Sequence, residues 1–208
     1  MEVLYAARMA ADKRQKAEKL LAKQSILRTS DFEHAGVSRQ LIAELVKEGL
    51  LVRNVRGVYT SLKASASGHA SLAQISSISP KAVVCLLSAL RFHDLTTQGP
   101  SEVWIALPPN VWAPKPEMPP VRVVRFSGAS WKEGVEEHVI DSVHVRVYSA
   151  AKTVADCFKF RNQIGKDVAI EALRDAWVKK RATMEELWHY AEVCRVANVM
   201  RPYLESVA

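Results

Sequence analysis

The sequence predicts an α+β chain in two parts, an N-terminal helical segment closed by a short hairpin and a mixed α/β segment with a small sheet and flanking helices. Three observations lead there. Residues 29–60, TSDFEHAGVSRQLIAELVKEGLLVRNVRGVYT, hold two capped helical stretches joined by a three-residue turn and followed by two β-prone runs. Residues 102–148 then hold four strand-like runs, and helical periodicity takes over from residue 149. Strands grouped together and then helices grouped together are the pattern of α+β domains rather than of strictly alternating ones.

Residues 9–24 form the first expected helix, with Leu20 and Leu21 on its apolar side and Lys13, Arg14, Lys16, Lys19 and Lys23 around the rest. That basic surface suits phosphate contacts or, equally, a solvated face. Ser30 with Glu33 reads as a capping box, which starts a second helix near Asp31. Ala35, Gly36 and Val37 make the turn, with Gly36 free to take positive φ, and Ser38 caps a third helix running to about Lys47. In that helix Leu41, Ile42, Leu45 and Val46 share one stripe and face the core, while Ser38, Arg39, Gln40, Ala43 and Lys47 face outward. Gly49 stops it. Runs 50–53 and 58–60, separated by Asn54, Val55, Arg56 and Gly57, then make a hairpin with Arg53 and Arg56 near its tip.

Two helices across a tight turn, followed by a hairpin, spell a winged helix-turn-helix. The outward residues fit a DNA major groove. Arg and Gln make paired hydrogen bonds to guanine and adenine edges, and Lys reaches phosphates. Ser38, Arg39, Gln40, Ala43, Lys47, Arg53 and Arg56 are therefore the candidate DNA-binding set. A winged helix used only for protein contacts, with the same residues as ordinary solvated charges, is the alternative.

Charge separates the two parts. The chain of 208 residues carries a net charge of +7. Residues 1–63 hold 12 Lys and Arg against 7 Asp and Glu, or +5, and residues 64–208 hold 17 against 15, or +2. A polyanionic partner is expected for the first part. The domains assigned on this basis are 1–63 for the winged helix, 64–79 for a structured connector rich in Ser and Ala, and 80–208 for the α+β part. All five tryptophans fall in that last segment, which suggests a core of its own.

Within the α+β part, Ser79 and Pro80 read as N-cap and first helical residue of an apolar, centrally buried helix over 80–92. Residues 102–107 read as a strand, the proline-rich 108–120 as an extended loop and 121–127 as a second strand. Runs 135–140 and 143–148 make a hairpin turning at Asp141 and Ser142. Helices follow, one capped by Ser149 and ending near Asn162, one over 167–179, one opened by the Thr183 and Glu186 capping box and running to Arg195, and a last turn or two around 199–204.

Chemistry-bearing patterns are sparse. Ser149 and Lys152 match SxxK, but the companion SDN and KTG motifs of that lysine-activated serine chemistry are absent, and Ser149 is explained as a cap. Six histidines form no HExxH or Cys/His cluster, although His138 and His144 are candidates to meet across their hairpin. Cys85, Cys157 and Cys194 lie inside helical patterns without CxxC spacing, so buried reduced thiols are expected. No GxG or phosphate-binding loop occurs, and Glu102 lacks the carboxylate-x-lysine continuation of a metal nuclease. Neither a metal nor a cofactor is expected, and no enzyme activity. The longest apolar run, residues 82–87, is far short of the ~20 residues that span a bilayer, and the first residues lack the order of a signal peptide; a soluble cytoplasmic protein with no membrane partner is expected. Lys152, Lys159, Arg161 and Lys166 fall within fifteen positions. They suggest a basic face for an anionic partner, or simply a solvated helix surface.

Together with the winged helix, the motifs PKAVVCLLSALRFHDLTTQ (80–98), VRVVRFSG (121–128), VHVRVYSAAKTVADCFKFRNQIG (143–165) and RVANVMRPYLE (195–205) resemble the AbiEi-type antitoxins of type IV toxin-antitoxin systems, which are linked to phage abortive infection. The resemblance spans nearly the whole chain. It implies a winged helix that represses its own operon by binding repeats in double-stranded promoter DNA. It also implies a C-terminal domain that counteracts a nucleotidyltransferase-like toxin without a stable complex. A DNA-binding regulator with a ligand-sensing or oligomerising C-terminal domain, and a hydrolase or nuclease targeted by the winged helix, are the competing readings. A toxin gene next door would favour the antitoxin.

Overall fold

The apolar stripe of the expected third helix finds its partners in a computed structural model that describes residues 2–61, 68–116 and 119–207, the side chains of residues 2–10 excepted. The chain divides into two compact units. One comprises residues 1–78 with 116–118 and 139–144, and the other residues 79–115, 119–138 and 145–208. The proposed boundary at 63/64 and the first residues of the connector lie outside the described residues.

The first unit runs α1 (Glu2–Lys23), β1 (Ile26–Arg28), α2 (Thr29–His34), α3 (Arg39–Lys47), β2 (Leu51–Val55), β3 (Val58–Ser61) and α4 (Ala70–Ile78). Leu21, Leu27, Phe32, Ile42, Leu45 and Leu51 close its core. α3 is built as its sequence dictates. The Leu41 N–H donates to Ser38 Oγ at 3.3 Å, so the cap satisfies a free donor of the first turn. At the other end Gly49, at φ +72°, lets its own N–H reach the Val46 carbonyl and the Leu50 N–H reach that of Leu45. This is a Schellman stop, which needs a residue at ease with positive φ.

Two local expectations change. The α2 helix begins at Thr29, two residues earlier than a Ser30 cap allows, and the carboxylate that closes its start is Asp31, which accepts from the Arg28 N–H at 2.7 Å. Glu33 is thereby released for another partner. The hairpin is also tighter than expected, with Val55 opposite Val58 and only Arg56 and Gly57 between them. A third strand, β1, pairs antiparallel with β3 and makes the sheet order β1-β3-β2. The connector holds the helix α4, whose Gln74 donates to Thr60 Oγ1 at 2.9 Å.

The chain after residue 78 contains β4 (Val83–Val84), α5 (Leu86–Phe92), β5 (Val103–Leu107), β6 (Val121–Arg125), α6 (Ala129–Lys132), β7 (Val135–Ile140), β8 (Val143–Tyr148), α7 (Ala150–Lys159), α8 (Arg161–Ile164), α9 (Lys166–Val178), α10 (Met184–Val193) and α11 (Ala197–Val207). Its sheet has the order β6-β5-β4-β8-β7, with β4 antiparallel to β5 and parallel to β8. Asp141 and Ser142 both take positive φ, the geometry of a primed hairpin turn. The expected helix over 80–92 is divided. Its apolar first half is the central strand β4, and α5 begins only at Leu86. A short run such as AVVC satisfies a strand buried on both faces as well as it satisfies a helix. The centrally buried helix is instead α7, in which every residue from Ala150 to Phe158 is buried. The chain is thus α+β, with a winged helix-turn-helix followed by a mixed α/β part.

Candidate functional site

Ile42 and Leu45 hold α3 against its core and leave Ser38, Arg39, Gln40, Ala43, Glu44 and Lys47 exposed along the opposite side. The wing exposes Arg53 on β2 and Arg56 at the turn. Every residue of the candidate DNA-binding set is therefore at the surface of the first unit. Asn54, also in the wing, is buried and donates to Thr60 Oγ1 at 2.6 Å, which ties the two strands together beneath the arginines.

The surface is not purely basic. Arg39 Nε and Nη2 both donate to Glu33 Oε1, at 3.0 and 2.8 Å. Gln40 approaches Glu44 at 3.5 Å. Arg14 of α1 makes a two-pronged pair with Glu48, at 3.0 and 2.6 Å, which braces α1 against the residue that follows α3. Sequence reasoning missed Glu33 and Glu44 as part of this surface. The i,i+4 spacing of Gln40 and Glu44 was available as a signal, whereas the Glu33 to Arg39 contact crosses a turn. On α1, Lys13, Lys16, Lys19 and Lys23 are exposed, and Lys16 pairs with Asp12 at 2.8 Å.

In the second unit the expected basic quartet is not one surface. Lys152 is fully buried, and its ammonium donates to Asp156 Oδ2 at 2.6 Å. It also lies 4.2 Å from the Tyr148 ring centroid and 5.0 Å from that of Phe126, within cation–π range. An i,i+4 lysine on the inward stripe of a buried helix has no route to water, which corrects its assignment to the face. Lys159 and Lys166 remain exposed, and Arg161 is half-buried with Nη1 donating to the Phe158 carbonyl at 2.8 Å.

Around the buried pair the other Asp156 oxygen accepts from Cys194 Sγ at 3.3 Å. Burial pushes all three thiols up, Cys194 to about 12, so they stay protonated; the cysteines are free and buried. Burial also raises the Asp156 carboxyl above the ordinary aspartate range, against the pull of Lys152. His93, lowered by burial, sits 2.7 Å from the Tyr148 carbonyl through Nε2. Ser149 Oγ accepts from the Lys152 N–H at 3.3 Å as the α7 cap, while the lysine amine is engaged with Asp156. His138 meets Glu136 at 3.3 Å and the edge of Phe92. Among the described residues no group of three or more His, Cys, Asp or Glu is placed to hold a metal, and no helix is long and apolar enough to cross a membrane.

Among solved structures the same fold occurs in the RV2827C protein of Mycobacterium tuberculosis, at 15% identity and a TM-score of 0.66, covering 91% of this chain and 77% of that one. At that identity the likeness concerns the fold alone. No curated protein matches. Residues 15–61, from within α1 to the end of β3, match the family of AbiEi antitoxin transcriptional regulators, the family that the sequence resembles.

Proposed function

We propose that this protein is a cytoplasmic, non-enzymatic antitoxin and autorepressor that binds its own promoter through α3 and the wing. The observation that carries the DNA-binding half is the exposed row Arg39, Gln40, Ala43 and Lys47 on a capped helix, beside Arg53 and Arg56 of the hairpin. Arg39 and Gln40 read bases; Lys47, Arg53 and Arg56 contact the backbone or the adjacent groove. The family match over residues 15–61 supports the regulatory role. Neutralisation of a nucleotidyltransferase-like toxin rests on the resemblance of the C-terminal motifs.

Arg39→Ala is expected to weaken binding to the promoter by about 1–3 kcal/mol while leaving random DNA nearly unchanged, and Lys47→Ala to weaken both about equally. Fluorescence anisotropy on promoter and shuffled duplexes, repeated over a salt series, measures both. Equal losses on the two duplexes for Arg39→Ala remove it from the base-reading set. Binding that ignores salt defeats the DNA reading altogether.

The two tasks are assigned to 1–63 and 80–208, with 64–79 as connector. Reversing Lys159, Arg161 and Lys166 to Glu together should impair rescue of cells that express the adjacent toxin gene, and spare promoter binding. Lys152 is left out because its charge is internal. Full rescue by the folded triple variant would show that this face is not used.

A further inference from the structure

Glu33 is out of place on a surface meant for a polyanion. A carboxylate there repels phosphates, and an ion pair as exposed as this one, with side chains 80% and 48% accessible for Arg39 and Glu33, contributes little to folding. What it does is hold Arg39. Glu33 lies at the end of α2 and Arg39 is the first residue of α3, so the contact spans the turn that sets the angle between the two helices. Both donors, Nε–H and one N–H of Nη2, are taken by the same oxygen, Oε1. That is the side edge of the guanidinium. Its end edge, with N–H groups of Nη1 and Nη2 directed away from the carboxylate, keeps the paired donors that guanine O6 and N7 accept.

We propose that Glu33 is a positioning residue for sequence recognition, holding Arg39 side-on so that its end edge is preset for a guanine. This rests on the DNA-binding reading above. A free arginine side chain loses rotamer freedom when it is ordered on a base, and a pre-formed brace removes part of that loss from the binding step. The brace also withholds Arg39 from phosphates. It favours the correct sequence over random DNA rather than strengthening both.

The experiment uses the full chain, a duplex from upstream of its own coding sequence, and a shuffled duplex of equal length at one salt concentration. Glu33→Ala should lower the ratio of specific to random affinity about tenfold, while affinity for the shuffled duplex stays level or rises. Glu33→Gln, which keeps an acceptor oxygen without the charge, should recover much of the ratio. With Arg39→Ala already present, Glu33→Ala should change both affinities by the same factor. A folded Glu33→Ala protein with unchanged discrimination overturns the inference, as does a loss of discrimination that persists without Arg39. If the wild-type chain does not distinguish the duplexes, the DNA reading fails and the role of Glu33 fails with it. If it does, and Arg39→Ala abolishes the difference while Glu33→Ala does not, the positioning role alone is wrong.

Discussion

Lys152→Met is expected to destabilise the second unit by about 3–5 kcal/mol, the usual cost of stranding one member of a buried ion pair. Methionine keeps the length of the lysine stem, so the loss reports the charge rather than a cavity. Asp156 is fully buried and would retain only the Cys194 thiol as a donor. The pH dependence distinguishes charge from packing. Without Lys152, burial outweighs the lowering by the Cys194 thiol and the Lys159 charge and holds the folded pKa of the carboxyl above the unfolded value, so the folded state binds the proton more tightly. Stability then falls as pH rises from the ordinary aspartate range through the raised folded value, and the deficit should be smaller at pH 5 than at pH 8. Removing both charges with Lys152→Met and Asp156→Ala should cost less than Lys152→Met alone at the higher pH. Urea titrations followed by tryptophan fluorescence compare the wild type with both variants. A deficit independent of pH, unrelieved in the double variant, would mean that lysine packing and not the pair holds the site together.

Gly134→Ala should be nearly as damaging, at about 2–5 kcal/mol from left-handed backbone strain together with overpacking. Gly134 takes φ +72°, and a Cβ there would stand 2.8 Å from Lys152 Cβ and 2.9 Å from its Cγ, with Tyr190 Cε1 at 3.1 Å. Those lysine carbons belong to the stem of a side chain pinned at its far end by Asp156 and rooted in a helix buried from Ala150 to Phe158. They have nowhere to move. The Gly134 carbonyl also accepts from the Ser149 N–H at 2.7 Å, which locks the glycine beside the start of α7. Asparagine tolerates left-handed backbone better than alanine but brings the same Cβ. Gly134→Asn should therefore melt no higher than Gly134→Ala in calorimetry. An asparagine variant close to wild type would show that backbone strain is the whole effect and the close approach is not felt.

The features legible from the sequence are those that nearest neighbours decide. The Ser38 cap, the stripe of Leu41, Ile42, Leu45 and Val46, the Gly49 stop and the Thr183 and Glu186 box each consist of groups within about one helical turn, so a linear reading contains both partners. The exposure of Arg39, Gln40, Lys47, Arg53 and Arg56 follows from the same periodicity. Pairing between distant segments was beyond that reach. β1 is a strand because β3 lies beside it, and residues 83–84 are a strand because β5 and β8 flank them; the same apolar run, read alone, also fits a helix. Charge is the sharper case. Lys152 and Lys159 look alike in a basic tract, yet one is inside and the other outside, because the core encloses α7 from Ala150 to Phe158 and leaves its last residue, Lys159, at the surface; a lysine is tolerated inside when its ammonium is neutralised by Asp156 one turn on. Glu33 and Arg39 show the converse at the surface. The sequence placed Arg39 outward but read Glu33 as a helix cap, and only the turn between α2 and α3 decided that they meet, because a contact of long side chains depends on the angle between their helices.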